Sequence, residues 1–180
     1  VIYWLIRIWA ALVDPSELFA CDPVEGPRIY WNKTQREGAR QLALEHMKAR
    51  GAKPVFLAFL DSAGERETGW RPSRRHDENT GLGMHGMSER YFGARIENMC
   101  DPRQTAEELA SIWRRAVKRY GARTPWDVHA VFAGRHECVT GVGECSGWMQ
   151  DQTTRSICPY MQARGFDCYQ PINLADAGRP

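Results

Sequence analysis

Lysine is scarce in this 180-residue chain: of its 24 basic residues, four are Lys and 20 are Arg. Net charge is scarce as well. Twenty-two acidic residues leave a formal +2, so no strong field marks the chain as a nucleic-acid binder. No C-x-x-C pair occurs, which excludes a thioredoxin-type redox motif. Internal repeats and low-complexity tracts are also missing, which excludes solenoids and collagen-like assemblies. The apolar stretch Val1–Val13, broken by Arg7, is too short to cross a bilayer, so no transmembrane span is expected. It is expected to be a buried element of the folded domain, the alternative being the end of a longer membrane or signal segment with Phe19-Ala20-Cys21 near a processing site, and no cleavable signal is claimed for it. With 43% hydrophobic and 26% charged residues, what remains is the composition of an ordinary globular domain. A single domain over 1–180 is expected, long enough to bury roughly 70% of its unfolded surface. The Arg bias suits planar recognition of phosphates or carboxylates, or else follows a coding bias of the source genome.

Six cysteines stand at 21, 100, 138, 145, 158 and 168. His136 with Cys138, Cys145 and Cys158 could be drawn as a zinc site, but the spacing fits no common finger. Disulfides are the preferred reading, which implies an oxidising compartment; the pairing stays open.

Helix ends are legible along the chain. Asn32 precedes Ala39, Leu42, Ala43 and Met47 at helical spacing, and Gly51 supplies the stop. Pro54 opens a second helix through Phe56, Phe59, Leu60, Ala63 and Glu67. Asp101-Pro102 starts a third, whose apolar face runs from Leu109 to Tyr120 before Gly121. Thr124-Pro125-Trp126-Asp127 caps a fourth. Arg71–Gly86 reads as an irregular loop with room for a short hairpin, and Val139–Gly147 as a cysteine-stapled loop. A last helix over Gln152–Arg164, interrupted by Pro159, and a weakly structured tail from Pro171 complete the reading. The expected fold class is mainly α.

The helix from Pro54 carries the most informative carboxylate. At 100° per residue, Glu67 falls about 20° from Phe56 and Leu60, whereas Glu65 falls about 180° from Phe56. Glu67 is thus expected on the buried face at the negative end of the helix dipole, walled by Trp70, where a carboxyl pKa is raised. A carboxylic acid kept protonated near neutral pH is what cleavage of a glycosidic bond requires of its general acid. The alternative is a boundary Glu that caps the backbone or pairs with Arg71 or Arg74.

Four segments stand in order after this point: Glu67-Thr68-Gly69-Trp70-Arg71-Pro72, then Gly81-Leu82-Gly83-Met84 fourteen residues on, then Asp101-Pro102 with its helix to Arg119-Tyr120-Gly121, then Ala130-Val131-Phe132-Ala133-Gly134. Over about 54–134 they resemble the lytic transglycosylases and their lysozyme-like relatives. That family carries Glu-Ser-x-aromatic-x-Pro, Gly-Leu-x-Gln, an Asn-Pro helix start and Ala-Tyr-Asn-Ala-Gly. Met84 stands where the family has Gln, with His85 beside it able to substitute; Phe132 replaces the Tyr and Ala133 the Asn.

The resemblance implies a lysozyme-like helical core over about 33–135 and a disulfide-stapled, cysteine-rich extension over about 136–180. It implies cleavage of MurNAc-GlcNAc β-1,4 bonds with Glu67 as general acid and base and no cofactor or metal. Thr68, Trp70, Met84, His85 and Phe132 are then the expected substrate contacts, with Trp126 a further candidate wall of the groove. His85, followed by Gly86, is expected to be exposed. In a lysozyme-type hydrolase a second carboxylate would position water, and Asp77 and Glu78 are the candidates. The implied partners are peptidoglycan glycan strands, with a larger secretion or phage-type assembly possible, in a periplasmic or extracellular setting. A non-catalytic wall-binding relative is the competing reading. A nucleic-acid binder using Arg71, Arg74, Arg75 and Arg114, Arg115, Arg119 ranks last.

Overall fold

The structure is a computed structural model that describes residues 19, 27, 29–72, 75–76, 81–83, 85, 87–88, 99–145 and 157–180. Its elements begin where the local chemistry starts them. Helix α1 (Lys33–Ala49) opens on a capping box: the Asn32 side chain accepts from the Gln35 amide, and the Gln35 side chain accepts from the Asn32 amide. Helix α2 (Pro54–Thr68) has a first-turn proline and ends on left-handed Gly69. Three two-residue strands come next, β1 (Arg75–His76), β2 (Gly81–Leu82) and β3 (Met87–Ser88), paired antiparallel in that order. They fall within and just beyond the loop read as irregular. Helix α3 (Pro102–Tyr120) is capped by Asp101 and stops at left-handed Gly121. Helix α4 (Pro125–Phe132) carries the Thr124–Asp127 capping box. Short helices α5 (Glu137–Thr140) and α6 (Cys158–Gln162) and a 3-10 turn (Leu174–Ala177) complete the described chain.

The mainly helical expectation holds, and two local readings are corrected. Pro159 does not interrupt a helix; it sits in the first turn of α6, where a missing N–H leaves no bond unmade. The tail from Pro171 is not loose. Asn173 and Asp176 cap each other's backbone, Asp176 and Ala177 are buried, and the Asp176 carbonyl accepts from the Lys53 amide at 2.8 Å. The Val1–Val13 stretch and residues 152–156 lie outside the described residues.

One core joins the helices to the C-terminal segment. Trp113 of α3 is fully buried, with Phe56 and Phe59 of α2 meeting its ring edge-on at 5.3 and 5.2 Å. Its indole N–H donates to the Asn173 carbonyl at 3.0 Å. Ile157, Cys158, Met161, Cys168 and Ala177 enter the same apolar cluster, so the C-terminal segment helps build the core. Disulfides join Cys138 to Cys145 and Cys158 to Cys168, and Cys100 is disulfide-bonded too. A zinc site on Cys138, Cys145 and Cys158 is thereby excluded, because all three sulfurs are engaged in disulfide bonds. Among the described residues no helix is long and apolar enough to cross a membrane.

Candidate functional site around Glu67

Glu67 stands on the last turn of α2 with its side chain 20% exposed. The Arg66 guanidinium lies against its carboxylate. The chain then reverses sharply: Gly69 (φ 62°) and Trp70 (φ 61°) are both left-handed, costly for a tryptophan. This reversal folds the indole back along α2, over Gly64 and toward Asp61. A Cβ added at Gly64 would come within 2.6 Å of the Trp70 ring, so only glycine leaves room for it.

Beneath Trp70 lies the carboxylate that dominates the local electrostatics, Asp61, with its side chain 7% exposed. It accepts Arg40 Nε and Nη2 at 2.7 Å each, Arg164 Nε at 2.7 Å and Trp70 Nε1 at 3.2 Å. Four donors match the roughly four acceptor positions of a carboxylate. Burial pushes the Asp61 carboxyl up, but the bonds and charges of Arg40 and Arg164 outweigh it and hold it below the ordinary range. The outer faces of the two guanidinia are engaged as well, Arg40 with Glu37 and Arg164 with Glu65 and the Tyr160 carbonyl.

The segments that resembled the lytic transglycosylases pack on different parts of the helices, His85 beside Trp70 and Gly83 on the start of α3. His85 Nε2 donates to the Leu60 carbonyl at 3.2 Å, and its ring stands edge-on to Trp70. Gly83 (φ 74°) packs on the start of α3, where a Cβ would stand 2.1 Å from the Met99 carbonyl oxygen. That oxygen also accepts from Thr105 Oγ1 at 2.6 Å. Gly83→Ala is therefore expected to cost about 2–3 kcal/mol, since both the backbone conformation and the contact oppose a side chain. Urea unfolding measures it; a loss below about 0.5 kcal/mol would show the segment free to lift off α3. From α4, His129 comes close enough to Arg66 for the charge of one to act on the other.

Several expected substrate contacts turn inward. His85 is completely buried, not exposed: the loop tucks its ring under Trp70 to satisfy the Leu60 carbonyl, and burial lowers its pKa to about 4. Thr68 is buried, its hydroxyl donating to the Gly64 carbonyl and accepting from the Arg71 amide. Trp70 is 5% exposed. Phe132 and Trp126 are partly buried and pack against the core. Met84, Asp77 and Glu78 lie outside the described residues.

Sequence reading passed over Asp61, its two arginines and the environment of His129. Asp61 lies about 140° around α2 from Phe56, off the stripe that was followed. Its signal was a carboxylate in the middle of a helix that is apolar on nearly every side. Nothing in the sequence announces Arg40 and Arg164, which come from segments 21 and 103 residues away. His129 is 1% exposed, and neither ring nitrogen has a hydrogen-bond partner among the described residues. Burial, reinforced by the Arg66 charge, lowers its pKa to about 3.

Comparison with family models, curated proteins and solved structures returns no match for this chain.

Proposed function

We propose that this chain cleaves peptidoglycan glycan strands as a lytic transglycosylase, with Glu67 as the general acid and base. The observation that carries the reading is the carboxylate of Glu67, 20% exposed on the last turn of α2 directly before the left-handed turn at Gly69 and Trp70. The reaction follows from one carboxyl group used twice. Glu67 donates its proton to the glycosidic oxygen between MurNAc and GlcNAc, and the C1–O bond breaks. As a carboxylate it then takes the proton of the muramoyl 6-hydroxyl, whose oxygen bonds to C1, giving a 1,6-anhydro end and a protonated Glu67. Arg66 has to swing off Glu67 for the acid to reach substrate. The disulfides fit a periplasmic or extracellular setting.

A second reading, a non-catalytic wall-binding relative, draws on one specific observation: Thr68, Trp70 and His85 are occupied inside the fold. Mass spectrometry of products from purified peptidoglycan separates the readings. Anhydro-ended fragments are expected from the parent, reduced by about 10²–10⁴-fold in Glu67→Gln. Reducing-ended fragments would make the chain a hydrolase. No release by either protein would leave the wall-binding reading standing.

A further inference from the structure

A groove of about 800 Å³ opens between the end of α1, the first four turns of α3 and the segment at 179–180. None of its lining residues belongs to the Glu67 turn, so a ligand bound there is independent of the glycan-cleaving reading. Four arginines line it, Arg50, Arg103, Arg114 and Arg179. Their partners are unequal in number. Arg103 is consumed by Asp101 through two bonds, Nε to Oδ1 at 3.0 Å and Nη2 to Oδ2 at 2.6 Å. Arg50 reaches Glu107 Oε1 at 3.2 Å, and the same oxygen holds His46 Nε2 at 2.7 Å.

Arg114 has no carboxylate within ion-pair distance among the described residues. Its Nη1 makes two long contacts, 3.4 Å each, to the Ala177 and Gly178 carbonyls. Among the described residues Arg179 has backbone bonds alone, to and from Arg50. Those bonds bring the Arg179 backbone beside Arg50, and Arg114 feels the repulsion of the Arg50 charge and, more weakly, the attraction of Glu107. Glu108 also lines the groove, but burial pushes its carboxyl up and Arg115 is the cation that acts on it. The groove therefore sets the Arg50 and Arg114 guanidinia beside the single carboxylate of Glu107, with exposed Arg179 also on its lining.

Cations that outnumber their carboxylates in a concave site are costly alone and favourable with an added anion, and a guanidinium fork matches the oxygens of carboxylate and phosphate. The volume exceeds that of a single ion and matches a metabolite-sized ligand. We infer that this groove is a binding site for an oxyanion-bearing ligand, held by Arg114, Arg179 and Arg50 through carboxylate or phosphate groups. The two chemical sources are a peptide or organic acid with clustered carboxylates and a phosphate ester.

Calorimetric titration of the full chain at low ionic strength tests this, with inorganic phosphate and citrate as probes. Arg114→Gln and Arg179→Gln are the groove variants; Lys118→Gln, exposed on α3 outside the groove, is the control. The expected result is saturable binding of at least one probe, weakened about tenfold in each groove variant and unchanged in the control. Arg179 is exposed and its bonds to Arg50 use backbone atoms, so Arg179→Gln reports binding even if Arg114→Gln disturbs the tail. Tighter phosphate binding assigns a phosphate source, and tighter citrate binding a carboxylate one. No saturable binding of either probe, or equal weakening in Lys118→Gln, would overturn the site.

Discussion

Asp61→Ala is expected to lower folding stability by about 3–5 kcal/mol, the usual effect of removing one partner from a buried ion pair. Asp61 is the anion between two guanidinia whose own side chains are 30% and 20% exposed, for Arg40 and Arg164 respectively. Both are shielded enough that solvent screening removes only part of the effect. Without the carboxylate, two cations face each other across a largely dry space and the Trp70 indole loses its acceptor. For a chain of this size the loss corresponds to a fall of roughly 10–15 °C in Tm. Thermal unfolding followed by near-ultraviolet circular dichroism measures it, because the same change frees the Trp70 ring. A fall under 2 °C would mean that the network is solvated and contributes geometry without stability. Replacing Arg40, Asp61 and Arg164 together by apolar residues is expected to cost far less than Asp61→Ala, since no unpaired charge is left behind.

The second large effect is a loss of stability in mild acid. His85 and His129 titrate near 4 and 3 in the folded protein, both chiefly because burial opposes their charge, against about 6.5 when unfolded. Their folded pKa values are depressed, so between pH 6.5 and those values the unfolded chain binds more protons than the folded one. Stability is then complete above about pH 6.5 and falls as the pH drops. Each pKa unit corresponds to about 1.4 kcal/mol, so each histidine removes on the order of 3 kcal/mol or more by pH 3. Asp61, also held below its ordinary value, adds to the loss only when the pH falls below the usual carboxylate range. The measurement is unfolding free energy against pH for the parent and His129→Phe. The variant is expected to show a distinctly shallower slope between pH 6.5 and 4. Parallel curves would mean that His129 is hydrated in solution and titrates normally.

The helices were readable because their ends are local. Asn32 with Gln35, Thr124 with Asp127, and Gly69 and Gly121 after the last turns each act within four residues, so sequence order alone locates them. Glu67 was readable for the same reason, as a residue at a known angle on a helix whose end was marked. His85 was misjudged because exposure was inferred from its neighbour Gly86, whereas the ring is drawn inward by the carbonyl of Leu60, 25 residues earlier. Pro159 was misjudged because a proline breaks a helix or begins one according to where the helix starts, and that start is set by packing of Ile157, Cys158 and Met161 in the core.

By itself, then, the sequence determined the mainly helical class, the bounds of the principal helices, a preference for disulfides among its cysteines and the position of Glu67 at a helix end. Tertiary structure alone decided which cysteines pair, that Asp61 is the buried carboxylate beneath Trp70, and that Arg50, Arg114 and Arg179 share one groove. The reason is one of range. Capping bonds and helical periodicity act over a few residues and leave their mark in the local sequence. Charge pairing and burial are set by groups many tens of residues apart, whose meeting depends on how the whole core packs.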